Sequence, residues 1–368
     1  MKKIPVFDRN FDRKDLHHVS STIKNNWISS GGMFSEKFSN NFSKFIKQKY
    51  VTLVSSGTSA LECAFSALNL NKSDEVILPN FTIVSCVNTI LQFQARPVFV
   101  DVSRKTWLME TDDIIKAVTA KTKAILIVNI FGNPFNVKYL KKKLKGKNII
   151  IIEDCAESVC SKNNGIISGS VSDISIFSLY YNKLITSGEG GIVCTSNKIF
   201  NERINSYKNL YFGKKERFNH VKIGFNYRLT ELQASMAYST FLKMDENINK
   251  INKIGFWYEK YLSRNNKIKF QTVNKNSIKI WWMYPIIIDS SKNNIMNLRK
   301  LLLMNNIDTR NLFKPLDSMK FLKTFKYKTY GNKNSNYLYK NGLYLPSGFN
   351  LNERQIKFIS NKINEFVK

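Results

Sequence analysis

The chain reads as an α/β protein, with a large domain built on a mostly parallel sheet sandwiched by helices and a smaller α+β domain at the C-terminal end. Three observations predict this. Residues from about 50 to 200 alternate short apolar runs with amphipathic segments, the pattern of strands alternating with crossover helices. The runs are rich in Val and Ile and lack polar alternation, as strands buried on both faces require. After about residue 250 the texture changes to longer mixed segments, and 368 residues are enough to bury two cores. The expected division is 14–245 for the large domain and 246–368 for the smaller one, with residues 1–13 packing on the latter.

Taken in order, the candidate strands are Val51–Val54, Glu75–Leu78, Pro97–Val100, Ala124–Val128, Ile149–Ile152, Ile174–Phe177 and Gly191–Thr195. Between them the spacing predicts helices over Thr58–Leu68, Ser85–Phe93 and Val137–Leu144, and afterwards Leu229–Met244, running on toward Tyr258. In the smaller domain, Ile278–Asp289 reads as a strand, Asn294–Asn305 as a helix, Lys314–Asn336 as an irregular stretch rich in Lys and Asn, and Glu353–Val367 as a final helix.

The formal charge is +30, from 57 basic and 27 acidic residues, and this admits a nucleic-acid-binding reading. Against it, the lysines are dispersed. The one dense run, Lys138-Tyr-Leu-Lys-Lys-Lys-Leu-Lys-Gly-Lys147, places Leu140 and Leu144 four apart on one helical face with lysines outward, as a solvated surface helix does. No interleaved aromatic-basic repeat is present. No run of about 18 apolar residues could cross a bilayer, and the start lacks a secretory apolar stretch, so a cytoplasmic location without membrane contact is expected. The five cysteines are scattered in apolar runs, which predicts reduced thiols and no metal site.

Chemistry concentrates around Lys183, in Ser178-Leu-Tyr-Tyr-Asn-Lys183-Leu-Ile-Thr-Ser-Gly188-Glu-Gly-Gly191, where an apolar strand enters a small, glycine-rich turn carrying one amine. Glycines permit backbone close to a ligand. Asp154 ends the strand Asn148-Ile-Ile-Ile-Ile-Glu-Asp154, at the carboxyl edge where open α/β sheets place ligands. A lysine able to form a Schiff base, with an acid able to hold a pyridinium nitrogen, is the minimum set for pyridoxal phosphate chemistry. Ser55-Ser-Gly-Thr58 follows a strand and opens a helix, so the Gly57 and Thr58 amides lie at a positive helix terminus suited to a phosphate. Each motif alone has a plain structural alternative: a surface lysine, a helix-capping acid, a serine cap.

The order of these pieces resembles the DegT/DnrJ/EryC1/StrS family of sugar aminotransferases, and within it the GDP-perosamine synthase type. The resemblance runs nearly the whole chain and is carried by Val54-Ser-Ser-Gly-Thr-Ser-Ala-Leu61, Asp74-Glu-Val-Ile-Leu-Pro79, Pro97-Val-Phe-Val-Asp101, Glu153-Asp-Cys-Ala-Glu157, the Lys183 segment and Gly224-Phe-Asn-Tyr-Arg-Leu-Thr230. It implies the fold-type-I aminotransferase architecture and pyridoxal 5'-phosphate bound through Lys183, with Asp154 on the ring nitrogen and Glu157 near the 3-oxygen. It also implies Gly57, Thr58 and Ser178 on the phosphate, Asn226 reaching in from a second subunit, and a homodimer with shared sites. His220, Arg228 and Arg310 match positions near the nucleotide-linked keto sugar, where arginines can engage a diphosphate.

The implied reaction moves an amino group from L-glutamate to C4 of a nucleotide-linked 4-keto-6-deoxyhexose, with amination at C3 of a 3-keto sugar as the alternative. Related dehydratases of this fold carry His at the lysine position, so Lys183 favours amino transfer. Two departures stand out. Ile83 occupies a ring-stacking position that is often aromatic, leaving either Ile83 alone or help from Phe81. Tyr181 replaces a common Gly, narrowing the site if it points inward.

Overall fold

A computed structural model describes residues 2–213, 216–289 and 294–368. Its central feature is an eight-stranded sheet, in the spatial order Tyr50–Val54, Gly191–Thr195, Ile174–Ser178, Ile150–Asp154, Thr122–Val128, Glu75–Pro79, Arg96–Val100 and Lys328–Tyr330. The pairings from Ile174–Ser178 through Lys328–Tyr330 are all parallel, while Gly191–Thr195 runs antiparallel to both its neighbours.

The strand alternation feeds two cores. On one face Val54, Ile174, Ile176 and Val193 join a cluster with Phe65, Val76 and Leu126. On the other, Leu53, Phe177, Ile192 and Cys194 meet Phe34, Phe38 and Phe42 of the Met33–Ile46 helix. That helix is started by Glu231, whose buried carboxylate accepts from the Gly32, Phe34 and Ser35 amides. Glu231 opens the Glu231–Leu242 helix, so one acid ties two helices together.

The smaller unit is an antiparallel sheet of Ile268–Lys269, Tyr284–Ile288, Gly342–Leu345 and Arg310–Asn311. It is backed by the helices Met244–Leu262, Ile295–Met304 and Glu353–Phe366. Tyr258 and Tyr284 stack at 4.6 Å in its core, and the Tyr258 hydroxyl donates to the Pro346 carbonyl at 2.8 Å. Ile4 is buried in the same core, and its amide donates to the Asn306 carbonyl.

Three departures from the expected elements have physical causes. The helix expected over Leu229–Met244 is observed as Glu231–Leu242, and the continuation toward Tyr258 is a second helix, separated at Lys243 (φ −99°, ψ 13°), whose amine is drawn to Asp15 at 2.5 Å and Asp12 at 3.1 Å. The Ile278–Asp289 strand is interrupted, because the Ile280 amide donates to the Ser161 hydroxyl and the Trp282 amide turns back to the Ile280 carbonyl. Within the stretch expected to be irregular, Lys328–Tyr330 pairs with Arg96–Val100 as the sheet's outer strand, helped by the Lys328 amine 2.8 Å from buried Glu75. Among the described residues no helix is long and apolar enough to cross a membrane.

Candidate active site

The carboxyl ends of the parallel strands converge on a cavity of about 330 Å³. Its lining includes Gly57, Thr58, Ile83, Asp154, Glu157, Ser178 and Lys183, together with Trp282, Phe313 and Tyr344 from the C-terminal third of the chain. Strand register explains the convergence. Asp154 lies opposite Ile176 and Val128, two residues short of Ser178 on the next strand, while Ser178 and Val54 both oppose Gly191. The sheet edge therefore presents an acid, a hydroxyl and a glycine in neighbouring strands.

Gly191 is required by crowding. A Cβ there would lie 2.3 Å from the Ser56 carbonyl oxygen, so the Ser56–Gly57 turn rests directly on the strand. Ser56 and Ser59 cap the Gly57–Ser66 helix reciprocally: the Ser59 amide donates to Ser56 Oγ at 3.0 Å and the Ser56 amide to Ser59 Oγ at 2.8 Å. The first-turn amides of Gly57 and Thr58 have no intrahelical acceptor and carry the positive end of the helix. A Cβ on Gly57 would meet Ser178 Cβ at 3.1 Å, so glycine brings the turn's backbone against that side chain. Thr58 Oγ1 adds a hydroxyl, 3.0 Å from Ser85 Oγ. Helix terminus and hydroxyls together form an anion cradle.

Asp154 is 3% exposed. Its Oδ1 accepts from the Ala156 amide at 2.9 Å, and among the described residues its Oδ2 receives only the weak thiol of Cys86 at 3.6 Å. Burial raises its pKa above the ordinary carboxylate range, against the pull of the Ala156 N–H and the Lys183 charge. A buried carboxylate with one weakly served oxygen is a site for a cationic N–H. Lys183 is driven the other way by burial, toward the neutral amine, with Glu157 and Asp154 opposing. Its Nζ lies 4.0 Å from Glu157 Oε1 and 3.6 Å from the centre of the Trp282 ring. Burial raises the pKa of Glu157, whose Oε2 accepts from the Phe131 amide at 2.7 Å. Asn182 Oδ1 is buried without a partner among the described atoms. Anion cradle, buried acid and buried amine on one wall fit pyridoxal phosphate.

The remaining expected residues lie apart from this lining. His220 is exposed, with Nδ1 2.7 Å from the Leu210 carbonyl. Asn226 is exposed and bridges Asn209, whose side chain receives Arg228 at 3.5 Å. Arg310 is exposed and paired with Asp308 at 3.4 Å, but sits opposite Tyr344, a lining residue. Phe81 is fully buried, edge-on to Trp107 and Phe313, so Ile83 alone of that pair reaches the cavity. Tyr181 packs edge-on to Phe7 at 5.7 Å and is not part of the lining; its neighbour Tyr180 is.

Sequence reasoning missed Trp282, Phe313 and Tyr344. Trp282 sits in Ile280-Trp-Trp-Met-Tyr284, where the adjacent aromatics look like strand core; its one signal is an indole N–H that needs an acceptor, found in the Asn182 carbonyl at 2.9 Å. All five cysteines are buried and unpaired, and no cluster among the described residues has the makings of a metal site.

Comparison with known proteins adds an independent line. A model of the DegT/DnrJ/EryC1/StrS aminotransferase family matches residues 10–364. The GDP-perosamine synthase of Escherichia coli O157:H7 is 34% identical over 366 residues, covering 100% of this chain and 99% of its own. That of Vibrio cholerae is 31% identical over 364 residues, covering 99% of each. Among solved structures, an E. coli GDP-4-keto-6-deoxy-D-mannose-3-dehydratase with bound hydrated pyridoxal phosphate superposes with a TM-score of 0.92 at 24% identity, over 98% of this chain and 99% of that one.

Proposed function

The chain belongs to the DegT/DnrJ/EryC1/StrS aminotransferase family, and from that premise we propose that this pyridoxal-phosphate-dependent sugar aminotransferase acts at C4 of a nucleotide-linked 4-keto-6-deoxyhexose. The donor in this reading is L-glutamate, and the product is a 4-amino-4,6-dideoxyhexose of the perosamine or viosamine kind. The observation that carries it is the buried amine of Lys183 in one cavity with Asp154 and the Gly57–Thr58 helix terminus. The names of the two full-length relatives support the sugar and its position of amination.

When bound, the cofactor supplies an aldehyde that takes up an amine and a ring that stabilises negative charge at the adjoining carbon. The chain's residues do the rest. Gly57 and Thr58 amides, with the Thr58 and Ser178 hydroxyls, hold the phosphate. Asp154 would hold a proton on the ring nitrogen, its Oδ2 receiving only the weak Cys86 thiol among the described residues. Ile83, in the cavity lining, would give the ring an aliphatic wall. Glu157, fixed by the Phe131 amide, would help orient the ring near its 3-oxygen. Lys183 Nζ, held toward its neutral form by burial, takes a proton from the donor carbon and returns one at sugar C4.

His220, Asn226, Arg228 and Arg310 enter this reading through a second copy of the chain and through the smaller domain. The segment bearing His220 and Asn226 exposes Phe218, Val221 and Ile223 at 77%, 75% and 85%, a surface suited to burial against another subunit. In the homodimer so formed, Asn226 reaches the partner's phosphate cradle. Arg310 approaches from behind Tyr344, toward the diphosphate.

The deciding experiment incubates the protein with glutamate and a panel of GDP-, UDP- and dTDP-linked 4-keto-6-deoxy sugars and reads product mass and amine position. One 4-amino product formed far faster than the others is the expected result. Turnover of 3-keto sugars alone moves the reading to C3. Lys183→Ala is expected to lower turnover by roughly 10²–10⁴-fold or more, and unchanged turnover would refute the assignment of the amine.

A further inference from the structure

The amine of Lys183 lies between two groups of the chain, Glu157 Oε1 at 4.0 Å and the face of the Trp282 indole at 3.6 Å from its centre. They come from distant places. Glu157 follows the Ile150–Asp154 strand, whereas Trp282 sits just ahead of the Tyr284–Ile288 strand of the smaller sheet. Both converge on Phe131, whose amide donates to Glu157 Oε2 at 2.7 Å while its ring stacks on Trp282 at 6.2 Å and 22°.

Phe131 has a left-handed backbone (φ 52°, ψ 30°), which a bulky residue adopts only when its surroundings impose it. Those surroundings are the segment 271–282. Gln271 Nε2 donates to the Ile130 carbonyl at 3.2 Å and to the Thr106 carbonyl at 2.9 Å, and buried Lys279 fixes that amide by donating to Gln271 Oε1 at 2.6 Å. Ser161 Oγ donates to the Gly132 carbonyl at 2.7 Å and accepts from the Ile280 amide at 3.2 Å. Finally, the Trp282 N–H donates to the carbonyl of Asn182, the residue before the lysine. The ring and the chain it serves are pinned together.

We propose that Trp282 is the positioning residue of Lys183, coupled through Phe131 to Glu157, so that the segment 271–282 fixes both the place and the charge of the reactive amine. This rests on the reading of Lys183 as the cofactor lysine. An ammonium over an indole face is favoured over a neutral amine there, so the ring opposes the effect of burial. The other charges facing the amine are Asp154 and Glu157, with Lys279 acting on Glu157 from beyond it. Removing the ring leaves those in place and withdraws one support of the charged form. The midpoint of Lys183 then moves down by about half a pH unit to about one and a half pH units.

The test uses the cofactor-free full chain and needs no substrate, so it stands whatever sugar the enzyme takes. Wild type, Trp282→Phe and Trp282→Leu are labelled with a limiting amine-acylating reagent between pH 6 and 10, and modification of Lys183 is read by mass spectrometry. Trp282→Phe, which keeps a ring face but loses the N–H to Asn182, is expected to stay closer to the wild-type midpoint than Trp282→Leu, which shows the full downward move. With cofactor and substrates, Trp282→Leu is expected to displace the pH profile of kcat in the same direction while KM for glutamate changes little. A Trp282→Leu midpoint equal to wild type, or a Trp282→Phe midpoint displaced as far as that of Trp282→Leu, overturns the proposal. Trp282→Met replaces the leucine variant if the latter does not fold.

Discussion

Asp154 links stability and function in opposite senses. In the cofactor-free chain its carboxyl is buried and its pKa is raised, chiefly by desolvation. The folded state thus holds the proton more tightly than the unfolded state. Stability falls as pH rises from the ordinary carboxylate value through the folded one, and the whole penalty is present above both. Asp154→Asn removes it. Cofactor-free Asp154→Asn is therefore expected to melt above wild type at pH 7, by an amount on the order of 1 kcal/mol or about 2 °C, with the gap closing as pH falls toward 4. In the proposed site the same variant would also lose the anion that holds the ring-nitrogen proton, and its turnover is expected to drop roughly 10²–10³-fold. A calorimetric scan beside a rate measurement checks both, and a variant that melts lower at neutral pH counters the account of the buried charge. At this scale the sequence pattern was readable where a polar residue ends a buried strand, as at Asp154, whereas Ser178, which lines the same cavity, was expected from the family resemblance alone. Trp282 and Tyr344 were not readable, because an aromatic in a hydrophobic run has the same pattern whether it faces a core or a cavity.

Among elements, the antiparallel strand Gly191–Thr195 does the most to shape the site, since it wedges between Tyr50–Val54 and Ile174–Ser178 and sets their ends level. Its first residue accepts no side chain, because the Ser56 carbonyl lies 2.3 Å from where a Cβ would be. Backbone cannot swing aside as a side-chain tip does, so Gly191→Ala must displace the Ser56–Gly57 turn. The expected cost is about 1–3 kcal/mol of stability, together with a loss of cofactor affinity of roughly 10-fold for each 1.4 kcal/mol lost from the cradle. Denaturant midpoints and cofactor titration by absorbance measure the two separately, and unchanged cofactor affinity would mean that the turn is not the phosphate site. The seven strands that the first 200 residues give to the central sheet were legible because burial on both faces demands unbroken apolar runs. The eighth, Lys328–Tyr330, was not. It is three residues long, begins with a lysine, and owes its existence to Arg96–Val100 and Glu75, more than 220 positions away (328 minus 100 is 228). At Lys243 the observed break falls within a residue of Met244, where the sequence pattern ends its helix, and the amine there is held by Asp12 and Asp15 from the first turns of the chain.

For the whole molecule the question is where the expected site residues outside the cavity do their work. Asn226 is exposed and away from the cavity of its own chain, yet follows an exposed apolar segment containing Phe218, Val221 and Ile223. In the proposed two-fold dimer, burial of that segment would make each site a composite, with Lys183 from one copy and Asn226 from the other. The division of the two residues between subunits came from the family resemblance and not from the pattern, since periodicity reports which face of an element is apolar and not which chain covers it. Composite sites have a distinctive consequence. Lys183→Ala and Asn226→Ala are each expected to be weakly active alone, because every site in either homodimer lacks one group. After the two are unfolded and refolded together, half the dimers are hybrids, and one site of each hybrid has both native residues. Activity should then recover to roughly a quarter of the wild-type value, while Lys183→Ala mixed with wild type under the same conditions gives only the dilution expected of an inert partner. A sedimentation run fixes the dimer, and a refolded mixture no more active than its parents would place Asn226 in the service of its own chain.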